Sequence, residues 1–218
     1  MDMFVDRVGY LIVLLLSLSV HEWAHAVSAF RLGDDTAARE GRLTLNPLAH
    51  MDMVGTLLLP LLGVPFGWAR PVPVDARRFR EGVDVRRGMM ITAVAGPLSN
   101  LVLALSCALV IGLLFRAFPE GYANSSAVGF FLGAMIQINL ALALFNMLPV
   151  PPLDGSRVAD GLMPSRYRPL WERFCQVGPV ALLLVIFVLP MLGIHVLSGP
   201  LQYFRGLTVE LIQIIAFT

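Results

Sequence analysis

The sequence predicts an all-α polytopic membrane protein, and three observations carry that expectation. Of 218 residues, 57% are hydrophobic and only 14% charged, against roughly 45–50% and 25% in soluble domains. The mean hydropathy is +0.75. Apolar runs of bilayer-spanning length recur along the chain, and arginines crowd into three of the segments that connect them. A soluble globule of this size could not hide that much apolar surface. Disorder, a secreted disulfide scaffold and an ordinary cytosolic enzyme are excluded. The net charge of +1 offers no field for nucleic acid. Cys107 and Cys175 match no metal-binding spacing and read as unpaired packing residues.

A helix needs about 20 apolar residues to cross a bilayer. The first run, 5–30, lacks a basic n-region and a clear cleavage site, so it reads as a retained span rather than a signal peptide. The run 53–66 is short and interrupted by Pro60, Gly63 and Pro65, which predicts a half-span or re-entrant segment. Residues 67–80, with Trp68, Val72, Val74 and spaced prolines, predict an extended strand. With residues 41–45 it is expected to form a small β element near the cytoplasmic side. The runs 88–118, 127–148 and 177–197 are each long enough to span. The tail, 201–217, carries Arg205, Glu210 and two Gln, and either crosses or lies at the interface. Five to six spanning or half-spanning helices result, forming a single membrane-embedded domain over 1–218.

Orientation follows from arginine placement. With the N-terminus outside and 53–66 not crossing, the loops 31–52, 67–87 and 149–176 share one side. They hold 13 of the 16 arginines, which places them in the cytoplasm.

The first span contains His21-Glu22-Trp23-Ala24-His25. Positions i and i+4 share a helix face, so both imidazoles can meet one metal ion. This is the HExxH arrangement of zinc ligands around a general-base Glu. Three ionisable groups in five residues of a membrane helix need partners or a wet cavity. A catalytic zinc takes three protein ligands and keeps one position open. Asp154, just beyond the Pro149–Pro152 cluster that ends the 127–148 span, approaches the same side as HEWAH. On the residues alone it is either a third ligand or a turn-forming Asp before Gly155, and His50 is the rival ligand. Asn100, in Ala95-Gly96-Pro97-Leu98-Ser99-Asn100, is an amide at membrane depth. It reads equally as a donor to substrate or oxyanion and as an interhelical hydrogen bond.

HEWAH, AGPLSN and NMLPVPPLDG, in that order on three long helices, resemble the site-2 protease family of intramembrane zinc metalloproteases. The likeness covers roughly residues 10–160. LNPLAHMD and GWARPVPV further resemble the compact bacterial branch without a PDZ domain. The resemblance implies a three-helix catalytic core and one Zn2+ held by His21, His25 and Asp154. It implies Glu22 as the base acting on a zinc-activated water, and Asn100 near the substrate backbone. It also implies a membrane-protein substrate, and an integral protein of the bacterial plasma membrane whose active site opens toward the cytoplasm. Residues 71–74 are expected to pair with an unwound substrate segment. The alternative is a non-hydrolytic metal-binding membrane protein or transporter, which would tolerate Glu22→Gln.

Overall fold

The computed structural model describes residues 3–63, 67–118 and 126–218. Six helices of nine residues or more organise them. They are α1 (Met3–Leu32), α2 (Val85–Ala117), α3 (Ser126–Asn146), α4 (Asp154–Leu162), α5 (Arg168–Leu183) and α6 (Ser198–Phe217). Four helical stretches have the length and composition to cross a membrane: Arg7–Leu32, Val85–Ala117, Ala127–Asn146 and Ser165–Met191. The chain is an all-α integral membrane protein.

Helices α1, α2 and α3 pack side by side. Val13, Ala104, Cys107, Ala108, Ala134, Met135 and Leu140 form the centre of their contact. The alanines on α2 let the three backbones approach closely. The outward face of α2 stays apolar, with Ile91, Leu98, Val102, Leu105 and Leu109 all exposed. A membrane span is apolar toward lipid because the bilayer offers polar groups no partners. The tail resolves into α6, whose Leu201, Phe204, Leu211 and Ile212 pack on the same core.

Two expectations are corrected, the bounds of the 177–197 span and the β element, while the run 53–66 makes no spanning helix among the described residues, as foreseen. The span foreseen at 177–197 starts earlier, because Pro169 in the first turn of α5 is compatible with a helix start. It ends at Met191, before Gly193 at φ +76°. The run 53–66 gives one wide turn, Met53–Leu58, continued by Leu59–Leu61; residues 64–66, including Pro65, lie outside the described residues. The small β element does not form among the described residues: 67–75 is extended but belongs to no strand ladder. Pro71 and Pro73 have no N–H to give, and other groups take the amides around them. Arg70 N–H donates to His50 O (2.9 Å), Val72 N–H to Glu22 Oε2 (2.8 Å) and Asp75 N–H to Asp34 Oδ2 (2.7 Å).

Candidate metal centre

The site sits where α1, α2 and the start of α4 meet. His21 and His25, one turn apart on α1, are both buried. Their rings stand edge to face at 88°, with centroids 4.6 Å apart. Their Nε2 atoms converge to 3.0 Å. Asp154 Oδ2 completes a triangle, 3.2 Å from His21 Nε2 and 3.3 Å from His25 Nε2. A tetrahedron with its N or O corners about 2.0–2.1 Å from the centre has edges of about 3.3 Å. The three atoms therefore already have the spacing that a zinc ion requires. Among the described residues, this is the one group of His, Cys, Asp and Glu side chains so arranged. His50, the rival ligand, is outside it and bonds through Nε2 to Thr44 O at 2.7 Å.

The hydrogen-bond partners on the far side of each imidazole explain why the triangle suits a cation. His25 Nδ1 faces the carbonyl of Thr92 at 2.7 Å. His21 Nδ1 faces Asn100 Oδ1 at 2.6 Å. Both partners are acceptors, so each Nδ1 carries the proton and each Nε2 presents a lone pair. Two lone pairs and a carboxylate then face one point with no donor between them. Asp154 supplies the third group, a carboxylate whose Oδ2 stands against both Nε2 atoms. Zinc fits this donor set.

Two glycines make the approach possible. A Cβ on Gly96 of α2 would lie 2.4 Å from His25 Nε2 and 2.6 Å from His21 Cε1, so α2 can pass beside the two rings only without a side chain there. A Cβ on Gly155 would lie 2.3 Å from Met147 O and 2.4 Å from Leu148 O. Its absence lets the start of α4 tuck under the end of α3 and brings Asp154 to the histidines.

Glu22 lies beside the triangle and is buried, with Oε2 accepting the Val72 N–H. The extended segment that supplies this amide is itself pinned. Arg42 is buried in the interhelical loop and donates from Nη2 to Arg70 O (2.6 Å) and Pro71 O (3.4 Å). Desolvation by that burial, with Arg70 nearby, lowers the pKa of the Arg42 guanidinium.

Asn100 is fully buried, and its amide is engaged on both ends. Oδ1 takes the His21 proton, and Nδ2 donates to Asn139 Oδ1 (2.7 Å) and more weakly to Ser17 O (3.4 Å). It forms an interhelical hydrogen bond, one of the two roles its position allowed. Sequence reasoning missed Asn139, Arg42, the Thr92 carbonyl and the Val72 amide. Asn139 had a signal, an amide in the apolar run of α3, although Gln137 and Asn146 share that helix. The two backbone groups had none.

A family model described as peptidase family M50 matches residues 114–189, a stretch that includes Asp154. The protein named "Putative zinc metalloprotease YwhC" of Bacillus subtilis (strain 168) is 41% identical over 213 residues, covering 94% of this chain and 92% of that protein. Rip2 of Mycolicibacterium smegmatis, whose name carries the same description, is 38% identical over 141 residues, or 65% of this chain and 52% of its own. Rip2 of Mycobacterium tuberculosis (strain H37Rv) is 34% identical over 180 residues, 82% of this chain and 66% of its own. No solved structure matches the chain.

Proposed function

The chain belongs to peptidase family M50 and is a zinc metalloprotease, and from that premise we propose that it hydrolyses peptide bonds in or beside transmembrane segments of other membrane proteins. The observation that carries this reading is the triangle of His21, His25 and Asp154 with Glu22 beside it, the two histidines and the glutamate standing on a helix of membrane-spanning length. Zinc held there supplies a Lewis acid for the scissile carbonyl and acidifies water.

The other steps belong to the chain's own residues. Glu22 is the general base: its carboxylate takes a proton from the attacking water and returns one to the leaving amine. The Val72 N–H steadies that carboxylate through Oε2, and Arg42 steadies the segment that carries Val72. Asn100 and the Thr92 carbonyl fix the tautomers of His21 and His25. The scissile bond must reach the triangle as extended backbone, because a helix hides its carbonyls in its own hydrogen bonds. The arginine-rich loops support an orientation with this site opening toward the cytoplasm from a bacterial plasma membrane.

The test compares membrane-protein N-termini in cells expressing wild type or Glu22→Gln, with zinc content measured on both purified proteins. New N-termini inside or beside transmembrane segments in wild type alone, with equal zinc in both proteins, are expected. Equal cleavage by Glu22→Gln would remove Glu22 as base. Identical N-termini with and without the wild-type protein would favour non-hydrolytic metal binding.

A further inference from the structure

We propose that the outward face of α6 is the contact between two copies of this chain, packed as a parallel helix pair with Arg205 of each opposite the partner's Glu210. The exposed side of α6 is mixed: Tyr203, Leu207 and Ile214 offer lipid an apolar surface, and beside them runs a stripe of another kind. The inward face of α6 is apolar: Leu201, Phe204, Leu211 and Ile212 meet the core, and Ile215 lies against Gly112 of α2. The outward face carries Gly199, Gln202, Gly206, Val209 and Gln213, all exposed. Nothing lies within 4 Å of where a Cβ would stand on Gly199 or Gly206. Lipid offers the two amides no partner. Small residues with interspersed amides are instead what close helix pairs present to each other in a membrane.

The spacing of that face is specific. Positions 199, 202, 206, 209 and 213 alternate steps of three and four, the seam of a two-stranded coiled coil. In that register Arg205 and Glu210 flank the seam on opposite sides, five residues apart. That is the offset at which flanking charges of parallel helices meet across the pair. They cannot meet within one helix, since five residues turn about 140° around its axis. Both are exposed, and neither side chain has a hydrogen bond or ion pair among the described residues.

Beside Arg205, between α6 and α3, runs a cavity of about 440 Å³ whose wall includes Gln137 and Gln202. It lies on the flank over which a second α6 would place its Tyr203 and Glu210. Tyr203 is 66% exposed, and its ring meets that of its neighbour Phe204. Helix α6 packs along the spanning helix α2, with Ile215 against Gly112, so two copies inserted in the same direction and related by a two-fold axis along the membrane normal hold their α6 helices parallel, as the charges require. An anionic lipid would answer Arg205 alone. A second copy answers Arg205, Glu210 and the glutamines together.

The experiment uses the full chain in native membranes, with Cys107→Ser and Cys175→Ser as background. Val209→Cys, on the seam, is oxidised beside Leu207→Cys, which is exposed but off it. Val209→Cys should give a disulfide dimer and Leu207→Cys little. Adding Arg205→Glu or Glu210→Arg should lower the dimer yield about tenfold, and combining the two reversals should restore it. Unchanged zinc content in each variant reports that the fold is intact. Equal cross-linking at 207 and 209, or no recovery in the double reversal, would overturn the proposal. So would a monomer stabilised by phosphatidylglycerol through Arg205, which would assign the face to lipid.

Discussion

Replacing Gly96 with Ala adds one methyl group at the point where α2 passes the two histidines. The new Cβ would stand 2.4 Å from His25 Nε2, 2.5 Å from His25 Cε1 and 2.6 Å from His21 Cε1, where ordinary contact begins at 3.4 Å. Relief requires the rings to retreat by about 1 Å, whereas a zinc site tolerates about 0.2 Å. Asp154 sits on a different segment and does not follow them, so its separations of 3.2 and 3.3 Å would open toward about 4 Å, beyond a tetrahedral edge. Zinc affinity should fall on the order of 100-fold, equivalent to about 2.7 kcal/mol. Helix propensity acts in the opposite direction, since Ala is favoured over Gly by about 0.8–1.0 kcal/mol. A variant that is folded and as heat-stable as wild type when both are stripped of metal, yet poor in zinc, is therefore the expected outcome. Gly133→Ala is the control, because nothing lies within 4 Å of its Cβ position. Zinc competition against a chromophoric chelator reads both. A Gly96→Ala protein that binds zinc within about threefold of wild type would refute the placement of the rings against α2.

The remaining expectations concern the groups around the triangle. Asn100→Ala leaves the His21 Nδ1 proton without its acceptor and should weaken zinc about 10–100-fold; chelator competition measures it. Asn139→Leu should act in the same direction but less, because it only frees the Asn100 amide to turn over. Val72→Pro removes the amide on Glu22. It should cut kcat about tenfold while zinc content stays constant, a split that a ligand role for Val72 would not give.

The chemistry was legible where it depends on side chains at short, regular spacing. His21 and His25 meet because a helix puts i and i+4 on one face. Asp154 was legible as a candidate because the proline cluster had to end α3 in irregular backbone, although its choice over His50 depended on the resemblance. The support was mostly illegible because it is made of main chain. No pattern marks Thr92 as the residue whose carbonyl holds His25, or Val72 as the one whose amide holds Glu22. The same limit explains the absent β element. Residues 67–75 have the composition of a strand, yet their amides are claimed one at a time by His50, Glu22 and Asp34, partners far apart in sequence. The early start of α5 was hidden because its first turns carry Arg168, Glu172 and Arg173, which hydropathy reads as loop.

The polar groups inside the bundle form a chain whose direction is set at its far end. Ser17 donates to Val13 O at 2.8 Å, and a carbonyl can only accept. Ser17 Oγ must then accept from Asn139 Nδ2 (2.9 Å), which also donates to Met135 O (2.8 Å). Asn139 is thereby oriented with Oδ1 toward Asn100, whose Nδ2 must donate, which turns Asn100 Oδ1 toward His21. Each amide has only one orientation that leaves no donor facing a donor. The proton on His21 Nδ1 is therefore dictated by a backbone carbonyl two turns back along the same helix, through side chains on two others. An unsatisfied polar group would cost about 1–3 kcal/mol at any link, and the surrounding apolar bundle provides few substitutes. Sliding α2 or α3 along α1 would break several links at once. The arrangement that presents the Nε2 lone pair to zinc thus also fixes the register of the three helices, so ligand chemistry and helix packing in this chain are set by the same hydrogen bonds.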